Sequence, residues 1–130
     1  MGEPVKAVLD TSVVIAGDVA PQDVEVALSV ITFAELHLGV LAAKDDLTRA
    51  VRLARLSAVQ QAFAALPVDD DVARSYGQLA AAVGRRQPNP RTRASDLLIA
   101  ATAHAHGARL YTCNAGDLRG LDDLVQIVAV

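Results

Sequence analysis

The sequence predicts an α/β fold in which helices flank a central parallel sheet of four or five strands. Short, largely apolar runs such as VKAVL at 5–9 and LVQIVAV at 124–130 are typical of strands buried on both faces. Longer segments with helical periodicity separate these runs, and such alternation favours parallel strands joined by helices. Hydrophobic residues make up 52% of the chain, and we expect residues 1–130 to form one domain.

The first half of the chain alternates apolar runs with segments that begin at helix-capping residues. The expected elements are a strand at 5–9, a short helix capped within 10–12, a strand near 27–31, a helix at 32–43, and an amphipathic helix capped by Asp46 or Thr48 that reaches about Ala65.

The second half predicts two further strands around a buried helix. The helix at 95–107 is apolar on all sides, and Gly107 marks its end. Two prolines make QPNPRT at 87–92 a loop. The remaining expected elements are an extended piece at 66–68, a helix that opens at 69–71, a strand at 108–112 and a last strand within 124–130.

Composition excludes several classes of function. Aromatic residues are 3% of the chain, which argues against a single-strand binder built on stacking platforms. No apolar run reaches the ~18 residues of a membrane span, so we expect no membrane partner. Cys113 is the one cysteine, which rules out an internal disulfide and favours the cytoplasm.

Arginines concentrate in one stretch although the formal net charge is −3. Residues 72–95 hold five arginines and no acid. A locally arginine-rich surface is able to hold a polyanion, although a solvated helix face has the same composition. The sequence leaves both interpretations open. The arginines are Arg74, Arg85, Arg86, Arg91 and Arg93.

Four acidic residues stand near the ends of predicted strands or at the start of the buried helix. Asp10 ends the first strand, Glu35 follows the second, Asp96 opens the buried helix, and Asp117 follows the strand at 108–112. Each has a structural explanation of its own as a helix cap, and Thr32 with Glu35 has the spacing of a capping box.

Taken together, these acids predict a metal site. The carboxyl ends of parallel strands meet at one edge of a sheet, and ligands bind there. Carboxylates gathered at that edge repel one another unless a cation offsets their charge. Oxygen ligands with incomplete coordination suit Mg²⁺ or Mn²⁺. The chemistry expected is phosphodiester hydrolysis, with arginines holding the flanking phosphates.

Several segments resemble the PIN-domain ribonucleases, specifically the VapC toxins of VapBC toxin–antitoxin modules. A strand followed by Asp-Thr-Ser, a Glu within S-x-x-T-x-x-E-L, an Asp-Leu-Leu-Ile-Ala-Ala helix start and a Thr-x-Asn-x-x-Asp ending occur in that order. The matching segments are VLDTSVVIA, SVITFAELHLGV, LPVDDDVARSYGQLA, RASDLLIAATAHAHGARLYTCNAGDL and LVQIVAV.

The resemblance implies a PIN fold and an endoribonuclease that stops growth by cutting RNA of the translation machinery: tRNA, rRNA or mRNA. It implies a VapB antitoxin that inserts a segment into the active-site groove, and a homodimer within a toxin–antitoxin hetero-oligomer. Asp10, Glu35, Asp96 and Asp117 would form the metal site.

Supporting polar groups are implied as well. Thr11 or Ser12 and Asn114 would fill these roles, with Thr11 bonded to a metal-bound water and Asn114 orienting a carboxylate. Cys113 departs from the family, in which many relatives carry Arg at that position. The RNA-binding candidates are Arg85, Arg86, Arg91 and Arg93.

Three other functions are weighed against the toxin. One is a PIN-domain ribonuclease that processes RNA without a toxin role. A receiver-like module would need a Lys after a late strand, but the only lysines are Lys6 and Lys44. A non-catalytic PIN scaffold would be expected to have lost an acid, and all four are present.

Overall fold

The computed structural model describes residues 5–17, 24–86 and 94–130, and its strands form a five-stranded parallel sheet. The predicted parallel α/β architecture is thereby confirmed. The strands are β1 (Val5–Leu9), β2 (Val24–Ser29), β3 (Ala64–Leu66), β4 (Arg109–Thr112) and β5 (Ile127–Ala129). Their spatial order is β3-β2-β1-β4-β5.

Helices connect the strands, and the last connection contains a short 3-10 turn. The helices are α1 (Thr11–Ala16), α2 (Val30–Leu41), α3 (Asp46–Ala62), α4 (Asp70–Arg86) and α5 (Ala94–Ala105), and the 3-10 turn spans Ala115–Leu118. No helix in the described part of the chain is long and apolar enough to cross a membrane.

The strand order reverses at β1, which places a crevice beside it. The chain runs outward from β1 to β2 and β3, then returns to place β4 and β5 on the other side. Val8 is in register with Ala27 of β2 and with Leu110 of β4. In parallel sheets, ligands bind outside the carboxyl ends of the strands at such a reversal. The residues that follow β1 and β4 therefore occupy the favoured position for a site.

Each face of the sheet has its own hydrophobic core. Val8 packs with residues of α4 and α5, whereas its neighbour Leu9 packs with residues of α1, α2 and α3. Successive side chains of a strand point to opposite faces, so the apolar run of β1 supplies both cores. This double burial explains why both Val8 and Leu9, which are successive residues of β1, are apolar.

Most predicted elements occur, and the differences lie at their boundaries. α2 begins two residues earlier than expected, because the Ser29 hydroxyl accepts a hydrogen bond from the amide of Ile31 at 3.1 Å. α3 is capped by Asp45, not by Asp46 or Thr48: Asp45 Oδ1 accepts from the amide of Thr48 at 2.7 Å. The predicted loop at 87–92 lies outside the described residues.

The third strand lies at 64–66, where the end of a helix was predicted, and the extended piece predicted at 66–68 overlaps it only at Leu66. Ala64, Ala65 and Leu66 have little intrinsic strand preference. Pairing with Ala27, Leu28 and Ser29 of β2 supplies the backbone partners that make this segment a strand.

The cap of α3 predicts a pH-dependent contribution to stability. Hydrogen bonds from the amide and hydroxyl of Thr48 lower the pKa of Asp45 below its usual value of 3.8. Folding therefore favours the charged carboxylate of Asp45. Its contribution to stability is fully present above the pKa that Asp45 has in the unfolded chain, and it is lost as the pH falls through the lower pKa of Asp45 in the folded protein. In urea unfolding, Asp45→Ala should be less stable than wild type at pH 7, with a smaller difference at pH 3.

Asp45→Asn is the matched control, since Asn also caps helices but does not titrate. Its stability relative to Asp45→Ala should stay nearly constant over the same pH range. A wild-type advantage of the same size at pH 3 and pH 7 would contradict the assignment.

Candidate active site

Asp10 follows β1 directly and aims its carboxylate towards β4. Its amide donates to the carbonyl of Tyr111 at 2.8 Å, which extends the β1–β4 ladder by one residue. Asp10 precedes α1, but its side chain makes no capping hydrogen bond to that helix. The carboxylate Oδ2 instead accepts from the Ser12 hydroxyl at 2.9 Å and from the Thr112 hydroxyl at 2.8 Å. Asp10 therefore occupies the N-cap position of α1, but the explanation of its carboxylate as a helix cap is wrong.

Two backbone amides determine which way these hydroxyls point. The amide of Cys113 donates to Ser12 Oγ at 3.1 Å, and the amide of Asn114 donates to Thr112 Oγ1 at 3.0 Å. An amide only donates, so each hydroxyl accepts there and directs its own proton to Asp10. Asp10 is 8% exposed and Thr112 is fully buried. The network fixes Oδ2, while Oδ1 accepts no hydrogen bond from the described residues.

Three of the four predicted acids line one small cleft at the β1–β4 crevice. Asp96 lies in the first turn of α5, and Asp117 lies within the 3-10 turn after β4. The side chains lining the cleft are Asp10, Asp96, Thr112, Asn114 and Asp117, with Leu110 and Leu118 as its apolar part. Asp96 is the third residue of α5. The positive end of the helix dipole therefore stabilises its negative charge, and the same side chain lines the cleft.

Glu35 lies outside the aspartate cleft, on the groove next to it. It belongs to the second turn of α2, whose cap is Ser29, so the capping-box explanation with Thr32 is wrong. Thr11 connects the two regions, since it follows Asp10 and donates from its hydroxyl to Glu35 Oε1 at 2.8 Å. Thr11 is 8% exposed, and its hydroxyl also lies 3.1 Å from the Thr32 hydroxyl; a bond from Thr11 to a metal-bound water stays a prediction.

The groove beside Glu35 is mainly apolar and lies between α1, α2 and α3. It encloses about 660 Å³. Ile15, Leu47 and Val51 line it and are more than half exposed, at 53%, 78% and 54%. Its remaining lining residues are Glu35, Leu36, Gly39, Thr48, Arg52 and Arg55. Arg52 is fixed by a hydrogen bond from Nη1 to the carbonyl of Gly39 at 2.7 Å.

The cleft contains the donor types that a hard divalent cation prefers. It offers three carboxylates and the Asn114 amide. Among the described residues, however, no three His, Cys, Asp or Glu side chains are grouped closely enough to hold a metal ion by themselves. Mg²⁺ usually keeps several waters and is bound through one or two carboxylates, so the donor set fits a hydrated ion better than a dry cage.

The predicted arginines differ in what they contact. Arg86 bonds to the segment after the 3-10 turn, through the carbonyl of Gly120 and the carboxylate of Asp123. Arg85 is exposed at the end of α4. Arg91 and Arg93 lie outside the described residues. Binding of RNA by any of the four stays a prediction.

Comparison with known proteins shows the family. The model of the PIN domain matches residues 7–123. Ribonuclease VapC5 of Mycobacterium tuberculosis is 39% identical over 130 residues, covering 95% of this chain and 93% of that protein. Ribonuclease VapC8 of the same species is 40% identical over 106 residues, covering 78% of this chain and 94% of its own length.

A solved structure extends this likeness to the fold. The crystal structure of VapBC-5 from Mycobacterium tuberculosis, a member of the VapBC family of toxin–antitoxin systems, matches with a TM-score of 0.82 and 39% identity. The match covers 98% of this chain and all of the other. The chain belongs to the PIN-domain family, and within that family it is similar to the VapC ribonucleases.

Sequence reasoning missed Thr112 as a site residue. The apolar run at 108–112 indicates only that Thr112 ends a strand, yet its hydroxyl donates to Asp10, which follows the neighbouring strand. The signal was present, because Thr112 is the first residue of the Thr-x-Asn-x-x-Asp motif that also contains Asn114 and Asp117. A polar residue at the end of a buried strand next to a candidate acid indicates such a partner.

Removing the Thr112 hydroxyl should destabilise the fold through Asp10. Thr112→Val keeps the branched shape but removes the hydroxyl. The buried carboxylate of Asp10 then loses one hydrogen-bond donor, and the amide of Asn114 loses its acceptor. We expect the free energy of unfolding to fall by about 1–3 kcal/mol, the usual cost of leaving a buried polar group unpaired. Urea unfolding at pH 7 measures it. Thr112→Ser, which retains the hydroxyl, should lose less; an equal or greater loss would show that the methyl group matters more.

Proposed function

We propose that this protein is a metal-dependent endoribonuclease toxin of a VapBC module. One observation carries the proposal: Asp10, Asp96 and Asp117 come from three distant parts of the chain and line one cleft at the β1–β4 crevice. Its similarity to proteins named ribonucleases supports RNA as the substrate. RNA of the translation machinery and a cytoplasmic location stay predictions.

The aspartates alone would repel a phosphodiester, so the proposal includes a divalent cation. Asp10, Asp96 and Asp117 would hold Mg²⁺ or Mn²⁺, which when bound lowers the pKa of a coordinated water and offsets charge on the phosphate. Asp10 is suited to this role because two hydroxyls fix Oδ2, while Oδ1 accepts no hydrogen bond from the described residues. Asn114 lines the same cleft and would orient a carboxylate or a bound water.

Glu35 takes a different part in this proposal. Thr11 orients its carboxylate from the residue after Asp10, so Glu35 is held near the cleft without lining it. There it would act on a water or a second cation once RNA is bound. Ser12 and Thr11 are then the supporting polar groups, one for Asp10 and one for Glu35.

Neutralising a cleft aspartate should abolish RNA cleavage. Asp10→Asn and Asp96→Asn each remove one negative ligand, and the loss of several kcal/mol of charge stabilisation corresponds to at least about a 100-fold fall in kcat/KM. Cleavage of RNA by purified protein in Mg²⁺, with and without EDTA, measures this. EDTA should stop wild-type cleavage, and Mn²⁺ or Mg²⁺ should restore it.

Asp122→Asn is the control, since Asp122 is an exposed acid outside the cleft. It should cleave like wild type, and all variants should unfold at similar temperatures. Full cleavage by Asp10→Asn, or wild-type cleavage that is indifferent to EDTA, would contradict the proposal. Cleavage without inhibition of growth on expression would favour an RNA-processing ribonuclease over a toxin.

The groove between α1, α2 and α3 is the proposed site for a VapB antitoxin. Three of its apolar side chains, Ile15, Leu47 and Val51, are exposed, and it reaches Glu35 at the rim of the active site. A chain seated there would be able to continue into the cleft and block it. The similarity to the VapBC-5 toxin–antitoxin structure supports such a partner. Leu38 and Leu41, exposed on α2 outside the groove, are candidates for contact with a second copy.

A charge in the groove should separate antitoxin binding from catalysis. Val51→Arg places a charge among apolar side chains and should weaken binding of the co-encoded VapB-type antitoxin by about 30-fold or more, the effect of a hot-spot loss. RNA cleavage by the isolated variant should be unchanged. Calorimetric titration and growth rescue by the antitoxin measure the two effects.

Val68→Arg is the matched control, because Val68 is 40% exposed and does not line the groove. It should bind the antitoxin like wild type. Unchanged antitoxin binding by Val51→Arg would exclude the groove as the docking site.

A further inference from the structure

The last residue of α4 is bonded to the segment that follows Asp117. Arg86 Nη1 donates to the carbonyl oxygen of Gly120 at 2.6 Å, and Nη2 lies 3.1 Å from Asp123 Oδ2. Arg86 and Gly120 are 34 positions apart in the sequence, so this is a contact between separate parts of the fold. The hydrogen bond to the carbonyl is charge-assisted and short, whereas the ion pair to Asp123 is exposed and contributes little.

Gly120 is shaped for this contact. Its φ of +92° is a backbone conformation that side chains other than glycine rarely adopt. A Cβ at this position would lie 3.4 Å from Arg86 Cβ and 3.5 Å from Arg86 Cδ. The aliphatic stem of Arg86 therefore packs against the Gly120 backbone while the guanidinium bonds to its carbonyl.

The segment bonded to Arg86 directly follows a turn that carries two residues of the aspartate cleft. These are Asn114 and Asp117, and the amide of Asp117 donates to the carbonyl of Asn114 at 3.0 Å. Thr112 fixes the upstream end through the amide of Asn114. Downstream, Leu118 and Leu121 are buried at 3% and 0% exposure, and Arg86 holds the backbone between them.

We propose that Arg86 is a positioning residue that holds Asp117 at the cleft through the Gly120 carbonyl. The catalytic consequence rests on the proposed nuclease function. The sequence analysis predicts Arg86 as a contact for RNA. That role requires a guanidinium that faces a phosphate, whereas the positioning role requires one that bonds to the Gly120 carbonyl. The guanidinium directs one donor from Nη1 to the Gly120 carbonyl, while Nη2 faces the Asp123 carboxylate.

The experiment compares Arg86→Ala with Arg85→Ala, an exposed arginine in the same last turn of α4. Arg86→Ala should lower kcat for RNA cleavage about 10-fold, the usual effect of losing a group that orients a ligand, with KM changed less than about twofold. The salt dependence of RNA binding should be unchanged, since no phosphate contact is lost. Arg85→Ala serves as the comparison for hydrogen exchange, whereas Gln78→Ala, at an exposed position of α4 outside the cleft and the groove, should leave kcat unchanged.

Arg86→Lys separates positioning from charge. Lysine keeps the positive charge but lacks the planar fork that serves two acceptors. If Arg86 is a positioning residue, the kcat of Arg86→Lys should lie between that of wild type and that of Arg86→Ala. Asp123→Asn should be close to wild type because that ion pair is exposed.

Hydrogen exchange gives a readout that is independent of catalysis. The amide of Asp117, bonded to the carbonyl of Asn114, should exchange about 10-fold faster in Arg86→Ala than in wild type or Arg85→Ala, as expected for a locally loosened segment. This measurement needs neither RNA nor metal. If the wild-type protein cut no RNA, the nuclease proposal would be wrong, but the exchange rate of the Asp117 amide would still test whether Arg86 holds this segment.

Two results would overturn the inference. One is unchanged Asp117 exchange in Arg86→Ala. The other is weakened RNA binding with a reduced salt slope at unchanged kcat, particularly if Arg86→Lys restores binding, which would make Arg86 a phosphate contact.

Discussion

The hydrogen bond from the Thr112 hydroxyl to Asp10 Oδ2 joins the two strands between which the site lies. Those residues are 102 positions apart in the chain, and the bond is buried. It forms only if β4 returns to lie beside β1, so the doubly wound topology is a condition of the site. The same hydroxyl accepts from the amide of Asn114 and begins the segment that carries Asp117. The orientation of Asp10 and the path of that segment therefore both depend on one threonine.

A second threonine relates the cleft to the groove. Thr11 is adjacent to Asp10 in the chain, and its hydroxyl bonds to Glu35 of α2. A movement of α2 that displaced Glu35 would therefore lengthen its hydrogen bond with Thr11, the residue next to Asp10. Because α2 also forms part of the groove, a partner bound there would contact the helix that holds Glu35. The acidic site and the proposed docking surface therefore meet at one hydrogen bond, between Thr11 and Glu35.

The sequence predicted the fold class and the three aspartates of the cleft, but it did not predict the Thr112 side chain that holds one of them, Asp10, in place. Apolar strand runs and the order of helices required only local periodicity, which VKAVL and ARLYT display clearly. The strand at 64–66 escaped prediction because pairing with β2 creates it. Thr112 and Arg86 escaped for a related reason: each acts on a residue distant in the chain. Side-chain contacts across the fold leave no periodic signal in a single sequence.

The count of arginines is a poor guide to a polyanion surface in this chain. Arg52 bonds to the carbonyl of Gly39, Arg74 pairs with Asp70 and Asp71, and Arg86 bonds to Gly120. These side chains complete helix ends and inter-element contacts, so their charges are partly satisfied within the protein. An RNA that approaches the cleft meets a chain whose formal net charge is −3. Under the proposed function, the divalent cation in the aspartate cleft has to supply much of the attraction that the described arginines do not.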